Sequence, residues 1–264
     1  MHISLNGKRA IVSGSTAGIG LAIATGLAEA GAEVVVNGRT QARVDEALKF
    51  IRERLPQARI IGIAADLSGK DGAQKLFDQV PHTDILVNSL GIFEPKPFFD
   101  IDDEDWQRFF DVNVLSAVRL SRHYAQGMAE RKWGRVIFLS SESALQIPTE
   151  MVHYGMTKTA LLAVSRGLAE TLAGTGVTVN AVLPGPTRSE GVGDFFAKLA
   201  REQSASTDEL EASFLAEHRP TSLLKRLATV EEVANMVVYL ASVQASATTG
   251  AALRVDGGVL RSIA

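Results

Sequence analysis

The chain contains no cysteine. Disulfide cross-links and thiolate chemistry are therefore excluded, and a chain of 264 residues can bury most of its apolar surface without covalent staples. An excess of charge of one sign is also lacking, because 27 basic and 30 acidic residues give a formal net charge of −3. This balance does not provide the electrostatic footprint of a nucleic-acid-binding protein.

Long apolar runs are absent as well. No run approaches the ~20 residues that a membrane-spanning helix needs. The opening "MHISLNGKRAIVSG" leads almost directly into a strand pattern, without the features of a signal peptide. The five histidines are scattered and lack metal-ligand spacing, so we expect no metal site. We predict a soluble, cytoplasmic protein with no nucleic-acid or membrane partner.

What is present is an alternation of short β-branched runs with longer amphipathic segments. We predict strands at 9–13, 33–37, 59–64, 84–88, 135–140, 177–183 and 252–255, and helices at about 18–30, 40–55, 69–79, 103–130, 154–173, 207–217 and 229–241. This order indicates an α/β fold with a doubly wound, seven-stranded parallel sheet flanked by helices. The pairs Ser206/Glu209 and Thr229/Glu232 have capping-box spacing. Residues 1–264 are interpreted as one domain with a substrate loop or lid at about 184–222.

The stretch "GSTAGIG" (14–20) follows the first predicted strand and opens a helix. Its glycines let the backbone turn sharply and approach a pyrophosphate, while the helix N-terminus offers free N–H groups and a positive dipole end. The context is that of a dinucleotide-binding turn, although the spacing is G-x3-G-x-G. We predict that this turn binds the cofactor through Gly14, Ser15, Thr16, Gly18, Ile19 and Gly20.

The second predicted strand continues as "VVVNGRT". Gly38 stands where an acid would bind the ribose 2′-hydroxyl of NAD, and Arg39 follows it. A guanidinium without a neighbouring carboxylate favours the 2′-phosphate of NADP(H), with NAD(H) still possible. Alternatively, Arg39 is a solvated residue before the helix cap. After the third strand, Asp66 with Leu67 is placed either to meet the adenine or to cap the next helix.

The tyrosine and lysine of "YGMTK" lie four residues apart. On a helix, Tyr154 and Lys158 share one face, and an ammonium near a phenol lowers the phenol's pKa. Such a tyrosine can exchange a proton with a carbonyl or hydroxyl oxygen. Ser141 ends the fifth predicted strand, near the sheet edge where such folds bind ligands, and its hydroxyl could hold the same oxygen. Alone, the pair is equally compatible with a surface contact.

Together these residues resemble the short-chain dehydrogenase/reductase superfamily in its compact, single-domain branch with a Rossmann fold. The resemblance spans nearly the whole chain and includes "VNSLG" (87–91), "FFDVNVLS" with Asn113, "PGPT" (184–187) and "RVDGG" (254–258). "VNSLG" departs from the family's Asn-Asn-Ala-Gly at Ser89 and Leu90 and keeps Asn88 and Gly91.

The resemblance implies an NAD(P)-dependent oxidoreductase acting on CH–OH groups, with a catalytic tetrad of Asn113, Ser141, Tyr154 and Lys158. In it, Tyr154 is the general acid/base, Lys158 lowers its pKa and binds the nicotinamide ribose, Ser141 orients the carbonyl, and Asn113 keeps a kink or a water. Cofactor contacts are implied for Asn88, Gly91, Tyr154, Lys158, Pro184, Gly185 and Thr187. A homotetramer and a small-molecule carbonyl or alcohol substrate are implied as well.

The substrate stays open at this point. A 3-oxoacyl-[acyl-carrier-protein] reductase would need a basic patch, which Arg131, Lys132 and Arg135 could supply, although "AGTGVTVN" lacks the basic residue found in that reductase. A reductase of a small ketone, alcohol, sugar or steroid-like ring is the broader expectation, and a non-catalytic NADP(H) sensor is the other class.

Several residues near the predicted pocket have two interpretations each. Glu142 either points into the pocket and selects a polar substrate or is a solvated loop acid. Arg188 could meet an anion. Aromatic side chains could line or close over the cleft, or pack in the core: Phe93, Phe98, Phe99, Phe195 and Phe196.

Overall fold

All neighbouring strands of the main sheet run parallel in the computed structural model, which describes residues 2–193, 200 and 206–263. In chain order the strands are β1 (Arg9–Val12), β2 (Glu33–Gly38), β3 (Ile60–Ala64), β4 (Ile85–Asn88), β5 (Gly134–Leu139), β6 (Val177–Pro184), β7 (Thr187–Arg188), β8 (Ala228–Thr229) and β9 (Ala252–Val255). The sheet order is β3-β2-β1-β4-β5-β6-β9, and β7 pairs with β8 separately. The predicted doubly wound, seven-stranded parallel sheet is confirmed.

The helices alternate with these strands. They are α1 (Gly18–Glu29), α2 (Gln41–Arg54), α3 (Lys70–Gln79), α4 (Asp103–Phe110), α5 (Ser116–Glu130), α6 (Val152–Thr171), α7 (Thr207–His218) and α8 (Val230–Ala241). Both predicted capping boxes are confirmed, at the starts of α7 and α8. No helix among the described residues is both long enough and apolar enough to cross a membrane.

Two apolar cores lie on opposite faces of the sheet. Because side chains alternate along a strand, Ala10 and Val12 belong to the core under α1, α2 and α8, while Ile11 belongs to the core under α3, α5 and α6. The strands β4, β5 and β6 are buried at every position. Coverage of both faces explains why these strands are apolar almost throughout.

The chain order reverses between β1 and β4. Strand β1 pairs with β2 on one side and with β4 on the other, so the segments that follow β1 and β4 meet at the carboxyl edge. A Cβ atom added to Gly14, after β1, would lie 3.0 Å from the Cα atom of Leu90, after β4. Open α/β sheets bind ligands at such a switch point.

The predicted helix at 103–130 is interrupted. A π-helical turn, Asp111–Leu115, separates α4 from α5, and Asn113 sits fully buried within it. Single π turns widen a helix locally and recur at functional sites. The separate β7–β8 pair was not predicted either, because strands of two residues carry no periodic pattern.

The basic patch predicted from Arg131, Lys132 and Arg135 is wrong. Arg135 is buried near the start of β5, where its side chain donates to the carbonyls of Ser242 (3.2 Å) and Gly134 (2.8 Å). This is the amino edge of the sheet, whereas Ser141 follows the carboxyl end of the same strand. The patch therefore cannot border a pocket at Ser141.

Candidate active site

The turn after β1 is held by a buried asparagine that the sequence reasoning missed. Asn37 accepts from the Gly14 N–H at 3.2 Å through Oδ1, and its amide donates to the carbonyls of Ile63 and Ala65. Ser15 bonds the same strand, because its hydroxyl accepts from the Asn37 N–H at 2.9 Å. The signal available in the sequence was an amide at the end of an otherwise apolar strand.

The glycine-rich turn fits a pyrophosphate. The first residue before α1 is Ala17, which offers no side-chain cap, so no side chain competes for the helix's first N–H groups. A Cβ atom at Gly20 would lie 2.3 Å from the Gly14 carbonyl oxygen, so only glycine allows this close approach of turn and helix. Gly18 has a φ of 53°, in the left-handed region.

The end of β2 has no room for an acid. A Cβ atom at Gly38 would lie 2.4 Å from the Thr16 Cγ2 atom, so Thr16 fills the place of a side chain there. Arg39 is exposed beside it and makes no ion pair with any described residue. The position can therefore accept an anionic group from outside the protein.

Asp66 forms a local turn. Its Oδ1 atom accepts from the Ser68 N–H (3.0 Å) and hydroxyl (2.7 Å). The alternative prediction that Asp66 caps the next helix is wrong, because the N-cap residue of α3 is Gly69, without a side-chain cap. Leu67 is buried in the core under α3. Any contact of Leu67 with a nucleotide would therefore have to come from its backbone.

The segment "VNSLG" is braced through its backbone. The Ser13 hydroxyl accepts from the N–H groups of Ser89 (3.0 Å) and Leu90 (3.1 Å), so the two departures from the family pattern leave this contact intact. Asn88 donates to the Ser121 hydroxyl at 3.1 Å, and its buried amide oxygen has no hydrogen-bond partner among the described residues.

The segment after β6 is fixed against the end of β9. The N–H of Gly185 donates to Val255 at 3.0 Å, and a Cβ atom at Gly185 would lie 2.7 Å from Asp256. Pro184 is the last residue of β6, and the buried Thr187 donates its hydroxyl to the Gly185 carbonyl at 2.9 Å. The predicted cofactor residues of this segment thus lie at the same carboxyl edge as the glycine-rich turn.

Asn113 connects the π turn to the other predicted catalytic residues. Its amide donates to the Thr157 hydroxyl at 3.0 Å, and Thr157 in turn donates to the Tyr154 carbonyl at 2.7 Å. A Cβ atom at Gly91 would lie 3.4 Å from the Lys158 Nζ atom and 3.5 Å from the Asn113 Oδ1 atom. Asn113 and Lys158 therefore meet at Gly91, and Thr157 connects Asn113 to Tyr154.

The predicted catalytic lysine is buried and directed at β5. Lys158 Nζ donates to the Leu139 carbonyl at 2.9 Å and lies 5.5 Å from the centre of the Tyr154 ring. Desolvation lowers the pKa of Lys158 to about 8. Its proton is consequently released near neutral pH, unlike that of a surface lysine.

The pKa of Tyr154 is raised, which is the opposite of the direction predicted from its lysine neighbour. Burial is the main cause, the negative charge of Glu142 adds to it, and a hydrogen bond with Ser141 acts against it. The Lys158 ammonium is turned toward a carbonyl instead. At neutral pH Tyr154 therefore keeps its proton.

Glu142 is not a solvated loop acid. Its Oε2 atom accepts from the Ser141 hydroxyl at 2.5 Å, and its Oε1 atom accepts from Arg219 Nε at 2.8 Å. Arg219 comes directly after α7, 77 residues along the chain, and also reaches Glu150 at 3.5 Å. A buried ion pair thus joins the region 184–222 to Ser141.

The remaining residues predicted near the pocket are an arginine and five phenylalanines. Arg188 is paired with Glu211 at 2.5 Å, so its charge is already compensated by α7. Phe93 is 56% exposed and lies edge-on to the Tyr154 ring, which places it at the cleft and not in the core. Phe98 and Phe99 are exposed too, and Phe195 and Phe196 lie outside the described residues.

A family model described as enoyl-(acyl carrier protein) reductase matches residues 14–260. The match takes in the glycine-rich turn, the π turn, Ser141, Tyr154 and Lys158. The chain belongs to the short-chain dehydrogenase/reductase family of oxidoreductases.

Relatives that match the whole chain are likewise named as an oxidoreductase or as reductases. An uncharacterized oxidoreductase of Bacillus subtilis, YvaG, is 48% identical and is covered, like this chain, over 100% of its length. A 3-oxoacyl-[acyl-carrier-protein] reductase of Aquifex aeolicus is 32% identical, covering 98% of this chain and 100% of its own. The crystal structure of L-sorbose reductase from Gluconobacter frateurii, complexed with NADPH and L-sorbose, superimposes with a TM-score of 0.93 at 32% identity, over 100% of both chains.

Proposed function

We propose that the protein is an NADP(H)-dependent reductase of a small ketone, acting through a tetrad of Asn113, Ser141, Tyr154 and Lys158. The observation that carries the proposal is the meeting of these side chains with a phosphate-binding turn at one edge of the sheet. Structural neighbours with a bound NADPH support the cofactor. When bound, the nicotinamide supplies the hydride.

Each residue has a separate role in this proposal. Tyr154 donates its proton to the carbonyl oxygen, because a phenol carries its proton at neutral pH. Lys158, with a pKa of about 8, can replace that proton. Ser141 donates a hydrogen bond to the same oxygen and stabilises its developing charge. Asn113 keeps the helix start of α6 in place through Thr157.

NADP(H) is proposed over NAD(H) because Arg39 is exposed without an ion-pair partner among the described residues and Gly38 leaves no space for an acid. A guanidinium pairs well with a phosphate. The likeness to a structure complexed with NADPH supports this choice. We also propose that residues 1–264 form one Rossmann domain.

A sugar-like ketone is the favoured substrate within this group. The likeness to L-sorbose reductase extends over both whole chains, and the cleft beside Ser141 is lined by a carboxylate. A 3-oxoacyl-[acyl-carrier-protein] reductase is the second candidate, supported by the relative from Aquifex aeolicus. The position of Arg135 at the opposite edge of the sheet counts against it.

A homotetramer is proposed as the assembly. Apolar side chains stay exposed near the C-terminal turn: Leu223, which packs beside Gly258, is 81% exposed, and Ile263 is fully exposed. Covering such side chains with a second copy would stabilise a symmetric assembly. Sedimentation that finds a monomer at micromolar concentration would contradict the proposal.

The test is NADPH oxidation in the presence of a panel of ketones, sugars and 3-oxoacyl thioesters. Tyr154→Phe is expected to lower turnover at least ~100-fold, because proton donation is lost, while the dissociation constant for NADPH stays within about threefold. Tyr239→Phe makes the same chemical change on α8 and is the control. Tight NADPH binding without turnover on any member would instead support a sensor.

A further inference from the structure

The hydroxyl of Ser141 is already committed. An ionised carboxylate has no hydrogen to donate, so in the 2.5 Å contact with Glu142 the hydrogen belongs to Ser141. The backbone N–H of Ser143 donates to the same Ser141 oxygen at 3.1 Å, and this direction is fixed as well. With the Tyr154 phenol neutral, Ser141 therefore gives its single hydrogen to Glu142.

This commitment conflicts with the role proposed for Ser141. A hydroxyl that stabilises a carbonyl oxygen must donate to that oxygen, and Ser141 has one hydrogen for two acceptors. Turning it to a substrate would leave the Glu142 Oε2 atom, in a side chain only 6% exposed, without its donor. An unsatisfied buried acceptor, above all a charged one, is strongly disfavoured.

A substrate can resolve the conflict by bringing its own donor. A simple ketone has none. A ketone with a hydroxyl on the adjacent carbon carries a donor about one hydrogen-bond length from the carbonyl oxygen, which matches the short separation between the Ser141 oxygen and Glu142. The substrate hydroxyl can then donate to Glu142 while Ser141 donates to the carbonyl.

We propose that Glu142 is a specificity-determining residue that selects α-hydroxy ketones by accepting the hydrogen bond of the adjacent hydroxyl. The inference rests on the proposed function and names its substrate class. Glu142 neither gains nor loses a proton in the reaction. The carbonyl carbon receives a hydride from the nicotinamide, the carbonyl oxygen receives a proton from Tyr154, and a vicinal diol is formed.

Arg219 positions the carboxylate of Glu142. Its Nε atom bonds the Glu142 oxygen that faces away from Ser141, and its Nη1 atom donates to the carbonyl of His218 at 2.8 Å. The guanidinium is thereby fixed at the end of α7. It occupies one carboxylate oxygen of Glu142 and leaves the other for Ser141 or a substrate.

The test compares hydroxyacetone with methoxyacetone, each with NADPH. The methyl ether keeps the electron-withdrawing oxygen beside the carbonyl but cannot donate a hydrogen bond. In the unaltered protein we expect kcat/KM to favour hydroxyacetone by about tenfold or more, the usual difference made by one hydrogen bond to a charged group. Glu142→Gln is expected to reduce this ratio at least about threefold, because a neutral acceptor is weaker.

Glu150→Gln is the matched control, because Glu150 also contacts Arg219 but does not bond Ser141. The ratio should stay within about twofold of the unaltered protein's ratio. Equal use of the two ketones, or an unchanged ratio in Glu142→Gln, overturns the inference and leaves the proposed function standing. Failure to reduce any ketone overturns both.

Discussion

Replacing Arg219 by methionine is expected to lower the free energy of unfolding by about 3–5 kcal/mol. Both partners of the Arg219–Glu142 pair are buried, with side chains 9% and 6% exposed, and their atoms are 2.8 Å apart. Removing the guanidinium leaves the carboxylate of Glu142 desolvated and uncompensated. Because the loss comes from that stranded charge, Glu142→Gln combined with Arg219→Met should cost less than Arg219→Met alone.

Thermal and urea unfolding at one fixed protein concentration measure this effect. For a chain of this size the loss corresponds to a decrease in Tm of roughly 6–20 °C. Arg166→Met is the control, since Arg166 pairs with Glu170 on α6 with both side chains more than 60% exposed. That surface pair should contribute less than about 1 kcal/mol. Equal losses in the two variants would refute the view that burial makes the Arg219 pair different.

Three further outcomes are expected. Arg39→Ala should weaken the binding of NADPH roughly 10-fold or more, by loss of a charge-assisted hydrogen bond, and change the binding of NADH little. Arg52→Ala, which replaces an exposed arginine of α2, is the control. Equal losses of affinity for both cofactors would exclude Arg39 from recognition of the 2′-phosphate. For ketone reduction, kcat/KM should fall as pH rises through about 8, because Lys158 is charged below that pKa and neutral above it. In Lys158→Arg, whose side chain stays charged, this fall should move to higher pH. A flat pH profile in the unaltered protein would exclude Lys158 as the proton source. Gly20→Ala should weaken cofactor binding at least about tenfold, since its Cβ atom would lie 2.3 Å from a backbone oxygen. Gly69→Ala, with no atom within 4 Å of its Cβ position, should change the cofactor affinity less than about twofold. Similar affinities in the two variants would contradict the view that close packing requires glycine at position 20.

The fold was predictable because its signals are local. Strands covered on both faces are apolar at every position, as in β4, and the pair Thr229/Glu232 marks the start of α8 by its spacing alone. At Asn113 the resemblance implied a kink or a water, but the hydrophobic pattern did not predict the π turn, because one extra residue per turn changes the hydrophobic period too little to be seen in a single sequence.

The sequence predicts residues for the candidate site, but it does not predict their electrostatics. Glycine, tyrosine and lysine carry their spacing in the sequence, whereas the Glu142–Arg219 contact joins positions 77 residues apart. Ionisation also depends on burial, so the raised pKa of Tyr154 required coordinates. The same reason explains the error over Arg135, whose charge looked like surface charge until β5 placed it inside.

The small β7–β8 pair bears on how much the segment between its two strands can vary in length. It holds Thr187 beside Ala228 and Arg188 beside Thr229, so the chain leaves the sheet and returns to it at nearly one point. The two ends of the segment between β7 and β8 are thus held together, and the entropy cost of closing a flexible loop grows by only about 0.6 kcal/mol for each doubling of its length. Lengthening, shortening or replacing this segment should therefore cost the seven-stranded sheet little stability.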